Sequence, residues 1–130
     1  MSTSEGRATD FDRWIVEAFA ADGPFTVAVI LLEIGETRVT PVRSTFLNVI
    51  GDEVEWREIA ALFARAGHDW DGAAFFPATD DGGGALPDAA ARRWLADVER
   101  RVEADRLALN DAQFFDRLGR RLRIDEVSTH

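Results

Sequence analysis

Residues 25–34 read Phe-Thr-Val-Ala-Val-Ile-Leu-Leu-Glu-Ile, a run dominated by β-branched and aliphatic side chains. Apolar residues fill nearly every position instead of every second one, which is typical of a strand buried on both faces. Turn residues bound the run on each side, Asp22-Gly23-Pro24 before it and Gly35-Glu36 after it. We therefore predict a strand over 25–34 at the centre of a sheet.

Two segments downstream also have the composition of strands. The glycine in Gly35-Glu36 accepts a positive φ, so we expect a tight hairpin that leads into a second strand over Thr37–Val42. Pro41 has no N–H to donate, and it marks that strand as an edge strand or a broken one. Thr45–Ile50 is again apolar and β-branched, and it predicts a third antiparallel strand.

Two helices flank these strands. The first follows Thr9-Asp10 and repeats apolar residues at helical spacing: Phe11, Trp14, Ile15, Ala18 and Phe19. The second is predicted to begin at Asp52, which serves as the N-cap with Glu55 three residues later. Gly67 is expected to end it, after an apolar stripe of Trp56, Ile59, Ala60, Phe63 and Ala66.

The C-terminal part alternates between strand and helix signals. Residues 70–76 predict a short strand closed by Pro77, and the glycine-rich stretch 79–84 predicts a loop. A third helix is expected over 87–109, with Pro87 at its first turn. From Asp111 the pattern is ambiguous, and it favours a short hairpin or a helix-to-strand ending.

These elements predict an α+β fold with a single antiparallel sheet of three to five strands and three main helices. The expected order is α-β-β-β-α-β-α, followed by a short C-terminal hairpin or helix. The chain of 130 residues fits one globular domain over 1–130, with 1–8 and 128–130 as flexible termini. We expect the helices to pack on one face of the sheet.

The strand over 25–34 is apolar on both faces, so each face needs a cover. Either helices cover the second face as well, or a second chain does. We therefore predict a homodimer or another protein partner.

The composition excludes many kinds of chemistry. The chain has no Cys, Lys or Tyr and two His, which removes thiolate nucleophiles, disulfides, thiolate zinc sites and Schiff-base lysines. No apolar run is long enough to span a bilayer, and the first ten residues contain Glu5, Arg7 and Asp10 without an apolar core. We predict a cytoplasmic protein without a signal peptide, and we predict no cofactor.

The net charge of −9 is unevenly distributed along the chain. Residues 1–86 hold six Arg and 15 acidic residues, whereas residues 87–123 hold nine Arg and seven acidic residues. A predominantly acidic surface repels nucleic acid and anionic membranes. We therefore expect basic or neutral protein partners, no membrane association and no nucleic-acid binding.

An imidazole and several carboxylates come together in one segment, His68-Asp69-Trp70-Asp71, with Asp80 and Asp81 beyond the next strand. Because Asp oxygens and a His nitrogen are ligands for divalent ions, His68, Asp69 and Asp71 are candidate ligand or metal residues. The spacing matches no EF-hand or His-Glu-x-x-His motif. The intervening strand separates the two groups by roughly 20 Å, so a helix-exit turn and a solvated loop tip are the simpler interpretation.

A basic cluster beside two aromatic residues lies near the C terminus: Phe114, Phe115, Arg117, Arg120, Arg121 and Arg123. Arginine and exposed aromatic side chains stack on bases and neutralise phosphates, but the acidic remainder of the chain disfavours nucleic acid. The simpler partner is an acidic surface of this chain or of a second copy. We predict these six residues as a candidate interface.

Two weaker candidates remain. Ser44 beside Arg43 pairs a hydroxyl with a guanidinium, which suits a phosphate or carboxylate, although no Gly-rich cradle accompanies it. A turn residue between two strands is the simpler interpretation of Ser44. Phe75, Phe76 and Trp94 lie near the glycine-rich loop and are candidates for a ligand groove, although core packing is expected for most of the tryptophans.

The sequence carries no motif of a known family. The function that needs the fewest unsupported residues is a non-catalytic protein–protein interaction or adaptor domain. The alternative is a small enzyme or a metal-dependent ligand binder that uses His68, Asp69 and Asp71.

Overall fold

The computed structural model describes residues 9–51, 54–65, 67 and 69–123. In this part of the chain the elements are α1 (Asp10–Asp22), β1 (Phe25–Ile34), β2 (Val39–Val49), α2 (Trp56–Ala64), β3 (Gly72–Ala78), α3 (Asp88–Ala104), a 3-10 helix (Arg106–Asp111) and β4 (Gln113–Asp116). The strands form one antiparallel sheet in the order β2-β1-β3-β4. The predicted α+β class with one antiparallel sheet is confirmed. The termini predicted to be flexible, 1–8 and 128–130, lie outside the described residues.

The strand β1 lies between β2 and β3 and is buried on both faces. Side chains alternate between the two faces of a strand. The odd-numbered residues of 25–31 pack in a core cluster with residues of α1 and α2. The even-numbered residues of 28–32 pack in a second cluster with residues of α3. One strand therefore contributes to both cores of the molecule.

Helices cover both faces of the sheet, so the expectation that they pack on one face is wrong. A strand that is apolar on both faces needs an apolar cover on each. The helix α3 supplies the second cover through Val98 and Val102. A single chain therefore buries both faces of β1. The apolar character of this strand is no longer evidence for a homodimer, and the homodimer stays a prediction.

The strand β2 includes residues of both segments that were predicted as separate strands. It pairs with β1 from Val39 to Val49, and the register shifts where Leu32 pairs with Pro41 and Leu31 pairs with Arg43. The extra residue, Val42, is accommodated as a bulge, so one irregular strand replaces two short ones. The predicted edge position of Pro41 is confirmed, because β2 is the outermost strand on its side of the sheet.

Polar contacts join the start of α1 to two distant parts of the chain. Thr9 caps α1 and forms a reciprocal capping box with Asp12, with distances of 3.0 and 3.1 Å. The second Asp12 oxygen accepts the backbone N–H of Trp56 at 2.7 Å. The Trp56 indole N–H in turn donates to the carbonyl of Arg117 at 2.9 Å. One carboxylate and one indole thus connect α1, the start of α2 and the turn after β4.

The helix α2 begins at Trp56, four residues after the predicted N-cap Asp52, which lies outside the described residues. Glu55 occupies the N-cap position without a side-chain hydrogen bond to the helix. The cap comes from Asp12 of α1, which accepts the Trp56 N–H. The predicted capping box within the local sequence is therefore replaced by a contact from far along the chain.

The helix α3 begins at Asp88, one residue after the predicted start at Pro87, which is its N-cap, and it ends at Ala104, well before Leu109. Asp105 leaves the helical conformation at φ −156°, and its carboxylate accepts the N–H of Leu107 at 2.9 Å. An Asp that bonds to a backbone N–H two residues later competes with the continuing helix. The chain therefore changes to a 3-10 helix at this point.

The C-terminal hairpin that the sequence favoured is present. After β4 the chain turns through Gly119, and the N–H of Leu122 donates to the carbonyl of Phe114 at 2.7 Å. Arg121 forms a bridge with Phe115 in this hairpin. Among the described residues, no helix combines the length and the apolar character that crossing a membrane requires.

Gly119 lies against the start of both α1 and α2. It has a φ of +77°, and an added Cβ would lie 2.8 Å from the Trp56 Cγ and 2.9 Å from the Thr9 Cβ. We expect Gly119→Ala to lower the free energy of unfolding by about 2 kcal/mol or more, because it combines backbone strain with a clash. Gly83→Ala is the matched control, since Gly83 has a φ of +92° and open space around the added Cβ. Equal losses in urea unfolding would show that the clash contributes nothing.

The Asp10 carboxylate is held by the C-terminal hairpin and by its own helix. Asp10 Oδ2 accepts the backbone N–H of Arg121 at 2.7 Å, and Oδ1 pairs with the Arg13 guanidinium. The Arg121 N–H is the main cause that lowers the pKa of Asp10 below 3.8. Burial acts in the opposite direction, and Arg13 adds to the lowering.

We expect NMR titration to give Asp10 a pKa below 3.8 in the folded chain. A carboxyl with a lowered folded-state pKa stabilises the fold above its unfolded pKa, and this stabilisation is lost as the pH falls through the folded pKa. Asp10→Asn should therefore be less stable than wild type at pH 7, and the difference in stability should shrink as the pH falls through the folded-state pKa of Asp10. Arg13→Ala should keep the pKa below 3.8 because the Arg121 N–H remains. A return to the ordinary pKa in that variant would contradict this explanation.

Candidate functional site

The segment with the candidate metal ligands is described in part. His68 lies outside the described residues. Asp69 is exposed, while Asp71 is partly buried just before β3. The structure therefore places two of the three predicted ligands, and it gives them different surroundings.

The Asp71 carboxylate extends the pairing between β1 and β3. Its Oδ2 accepts the backbone N–H of Ile34 at 2.8 Å, and the Asp71 N–H donates to the carbonyl of Leu32 at 2.7 Å. β1 continues two residues past its last pair with β3, which is Leu32 with Gly72. There the Asp71 side chain takes the place of a backbone acceptor from β3. This contact gives Asp71 a structural role.

The described carboxylates do not converge on a metal-binding arrangement. Among these residues, no group of three or more His, Asp or Glu side chains is close enough to hold an ion. Asp80 lies in the glycine-rich loop after β3, where its N–H donates to the carbonyl of Gly84 and its carbonyl accepts the N–H of Gly83. The strand β3 lies between Asp71 and this loop, as the sequence predicted.

Phe114 and Phe115 are core residues in the folded chain. Their exposed fractions are 1% and 0%, and they belong to the two opposite core clusters. Successive residues of β4 point to opposite faces of the sheet, and each face is covered by helices. Neither phenylalanine is therefore accessible to a partner, which corrects the prediction that they form an interface.

The four arginines of the predicted interface lie on and after the hairpin turn. Arg120 pairs with Asp116 at 2.8 Å. The Arg121 guanidinium lies 5.2 Å from the Phe115 ring centroid and donates to the Gln113 side chain. The carbonyl of Arg117 accepts the Trp56 indole N–H, while Arg123 is the last described residue. The fold uses several of these groups to hold the hairpin, and their role as an interface stays a prediction.

The weaker candidates also have structural partners. Ser44 lies within β2 and not in a turn, and its hydroxyl donates to the Glu99 carboxylate. A carboxylate in contact with the hydroxyl disfavours an anionic ligand there. Phe75 and Phe76 are buried, and Trp94 donates its indole N–H to the Phe76 carbonyl at 2.9 Å. These aromatic residues pack in the core and do not line a groove.

A cleft of about 970 Å³ lies where the β1–β2 turn faces the end of α3. The Arg106 guanidinium is held there by the carbonyls of Val39 and Val102. Charged residues of both signs line the cleft: Glu36, Arg38, Glu103, Asp105, Arg106 and Arg123. Because the lining charges are of both signs, the cleft favours neither an anionic nor a cationic ligand.

The outer edge of β2 offers a different kind of site, and its geometry follows from the pairing with β1. Within a strand, the N–H and C=O of one residue point to the same side, and the side alternates along the chain. Leu32 points towards β3, because its carbonyl accepts the Asp71 N–H. Leu31 and every second residue before it therefore point to β2, where their partners point back. The residues of β2 that point outward after the bulge are Ser44, Phe46 and Asn48.

The first part of this edge is closed to a further strand. The carbonyl of Val39 accepts the Arg106 Nε–H at 2.8 Å. Pro41 has no N–H, and the bulge at Val42 follows it. Proline and bulges are devices that prevent an edge strand from pairing with another chain.

The opposite edge of the sheet is also closed. The outward groups of β4 bond to the returning hairpin, where the Asp116 N–H donates to the Arg120 carbonyl at 2.8 Å and the Phe114 carbonyl accepts the Leu122 N–H. The short strand β4 therefore has no free edge along these residues.

Ser44–Asn48 lacks such protection, and we call this segment the open edge. Within the described part of the chain, no strand pairs with it. From Ser44 to Ile50 the sequence contains no charged residue, no Pro and no Gly. Phe46 is half-buried and Ile50 is 63% exposed. Natural proteins rarely leave an uncharged strand edge open unless it pairs with something.

Sequence reasoning missed this site, although one signal was present. The seven uncharged residues of 44–50 are visible in the sequence of a highly charged chain. The sequence predicts a strand over Thr45–Ile50 and a turn at Ser44, but the position of a strand in the sheet is not local information. The strand order makes the same residues an edge.

We expect Asp71→Ala to lower the free energy of unfolding by about 1 kcal/mol, because the Ile34 N–H loses its acceptor. Asp71→Asn keeps an acceptor and should lose less. Asp69→Ala is the control, since an exposed substitution changes stability by less than about 0.5 kcal/mol. Urea unfolding checks all three variants. If Zn²⁺ or Mg²⁺ stabilised the wild type but not Asp71→Ala, a metal role would replace this structural one.

The geometry identifies an open strand edge as the described feature that most resembles a binding surface. Comparisons of the chain with protein-family models, with curated proteins and with solved structures found no match. No activity, ligand or partner is therefore carried over from another protein.

Proposed function

We propose that this chain is a non-catalytic protein-interaction domain that accepts an extended segment along the open edge. The observation that carries the proposal is the row of outward backbone groups at Ser44, Phe46 and Asn48 on an uncharged edge strand. An added strand satisfies such groups with main-chain hydrogen bonds, which is a common mode of peptide recognition.

The side chains around the open edge support this proposal. The alternate residues Thr45 and Leu47 lie on one face of β2, and Phe46 lies on the other. Thr45 is exposed, while Leu47 packs against the core cluster beneath α1 and α2. A bound strand would therefore lie beside Leu47 on one face and beside Phe46 on the other, along a strand that is paired with β1 over its whole length.

The side chains that could act as acids, bases or nucleophiles support a binding role over catalysis. Asp71 accepts a backbone N–H, the Ser44 hydroxyl donates to Glu99, and Asp10 accepts the N–H of Arg121. These groups are engaged in contacts that hold the fold together. The rival function, an enzyme or metal-dependent binder at His68, Asp69 and Asp71, would need Asp71 to act while its Oδ2 accepts the Ile34 N–H.

The test uses the full chain as bait in a lysate of its source, in parallel with Thr45→Glu and Thr45→Val. We expect a stoichiometric partner to bind the wild type and the Val variant but not the Glu variant, because a charged side chain on an edge strand opposes the addition of another strand. The partner is then identified by mass spectrometry, and its binding is measured with the purified proteins.

Thr45→Val is the matched control because Val keeps the shape of Thr and the propensity for a strand. A partner that binds all three baits equally would contradict the edge as the binding surface. If Arg117→Ala or Arg120→Ala abolished the binding of that partner instead, the interaction would belong to the arginine cluster.

A further inference from the structure

We propose that the partner at the open edge is a second copy of this chain. The two β2 strands pair antiparallel about a two-fold axis at Phe46, so that two four-stranded sheets become one continuous sheet. This inference rests on the proposed function, and it names the occupant of the same edge.

The outward backbone groups are symmetric about Phe46. In an antiparallel pair centred there, Phe46 lies opposite Phe46 of the second copy, and Ser44 lies opposite Asn48 of the second copy. Each of the three residues whose backbone groups point outward then lies opposite such a residue of the other copy. This pairing gives about six inter-chain hydrogen bonds. A centre at Thr45 or Leu47 would pair residues whose backbone groups already bond to β1.

The side chains match in the same register. The Asn48 Oδ1 accepts the Thr26 hydroxyl at 2.7 Å, which leaves the Asn48 amide hydrogens for Ser44 of the second copy. A two-fold interface requires a surface to be complementary to itself, and this segment meets that requirement.

The charge distribution also fits a second copy at this place. Each chain carries a net charge of −9, so two copies repel each other over most of their surface. Residues 44–50 carry no charge, and the Glu99 carboxylate that accepts the Ser44 hydroxyl would lie near the uncharged Asn48 of the second copy, so the paired strands bring no like charges directly together. Added salt screens the remaining repulsion, so we expect salt to strengthen the dimer.

One pair of strands buries less than the roughly 1,200 Å² that is typical of a stable interface. We therefore expect a dimer in the micromolar range that dissociates on dilution. The affinity of this dimer therefore depends on the contacts along the open edge.

Sedimentation velocity over a concentration series tests the dimer in the full chain. We expect Thr45→Glu to raise the dissociation constant about tenfold or more, because each dimer gains two carboxylates beside Leu47 of the other copy. Thr45→Val should keep it within about threefold of the wild type. A wild type that stays monomeric up to about 1 mM would overturn the proposal.

A single-cysteine experiment tests the register, because the chain has no other Cys. Residues at the axis would have Cα atoms about 5.5 Å apart, within the range of a disulfide, so Phe46→Cys should form a covalent dimer on oxidation. Thr45→Cys is the control, since its two copies are displaced along the strands beyond about 7 Å. Equal cross-linking of both variants, or stronger cross-linking of Thr45→Cys, would overturn the register.

The two proposals fail in different ways. A monomeric chain whose heterologous partner no longer binds Thr45→Glu would overturn the dimer and leave the proposed function intact. A dimer that Thr45→Glu does not weaken would overturn the edge as the surface in both proposals. A dimer that weakens as salt is added would likewise contradict pairing through uncharged residues.

Discussion

The burial of β1 on both faces is the constraint on which the rest of the structure depends. A strand with apolar side chains at nearly every position cannot face water on either side, so it must lie inside the sheet with a helical layer on each face. This requirement places α1 and α2 on one side and α3 on the other. The backbone groups on the two edges of β1 are paired with β2 and β3, and β2 is the outermost strand on its side of the sheet.

The core beneath α1 and α2 is organised around aromatic rings and a few directed polar contacts. Phe11 lies 5.0 Å from Phe75 and 5.3 Å from Phe115 between ring centroids, so one helix residue contacts two strands. The Asp12 carboxylate and the Trp56 indole then fix the order of the surrounding elements through hydrogen bonds of defined geometry. On the opposite face Thr26 is fully buried, and its hydroxyl bonds to Asn48 and to the N–H of Leu86. These contacts connect the sheet to α1 and α2 on one face and to the segment before α3 on the other.

The parts of the fold that local sequence determines could be predicted, and the parts that depend on distant contacts could not. The strand β1 and the capped start of α1 follow from composition and from the Thr9 cap, which act within a few residues. The start of α2 was missed because its cap is Asp12, 44 residues away. The burial of Phe114 and Phe115 depends on β4 joining β3, and periodicity in a four-residue strand carries too little information to show that. The open edge was missed for the same reason, since an edge is defined by the order of strands.

In the described part of the chain, an arginine, a proline and a bulge close the first part of the β2 edge, and the returning hairpin closes the β4 edge. No described strand pairs with Ser44–Asn48, and our proposals place a partner there. Residue-resolved hydrogen–deuterium exchange measures this claim most directly. In dilute solution the N–H groups of Phe46 and Asn48 should exchange fast, while those of Thr45 and Leu47, which bond to β1, exchange slowly. At high concentration the Phe46 N–H should become protected as well. Protection of Phe46 and Asn48 at every concentration would mean that another part of the same chain covers this edge, and it would contradict the account.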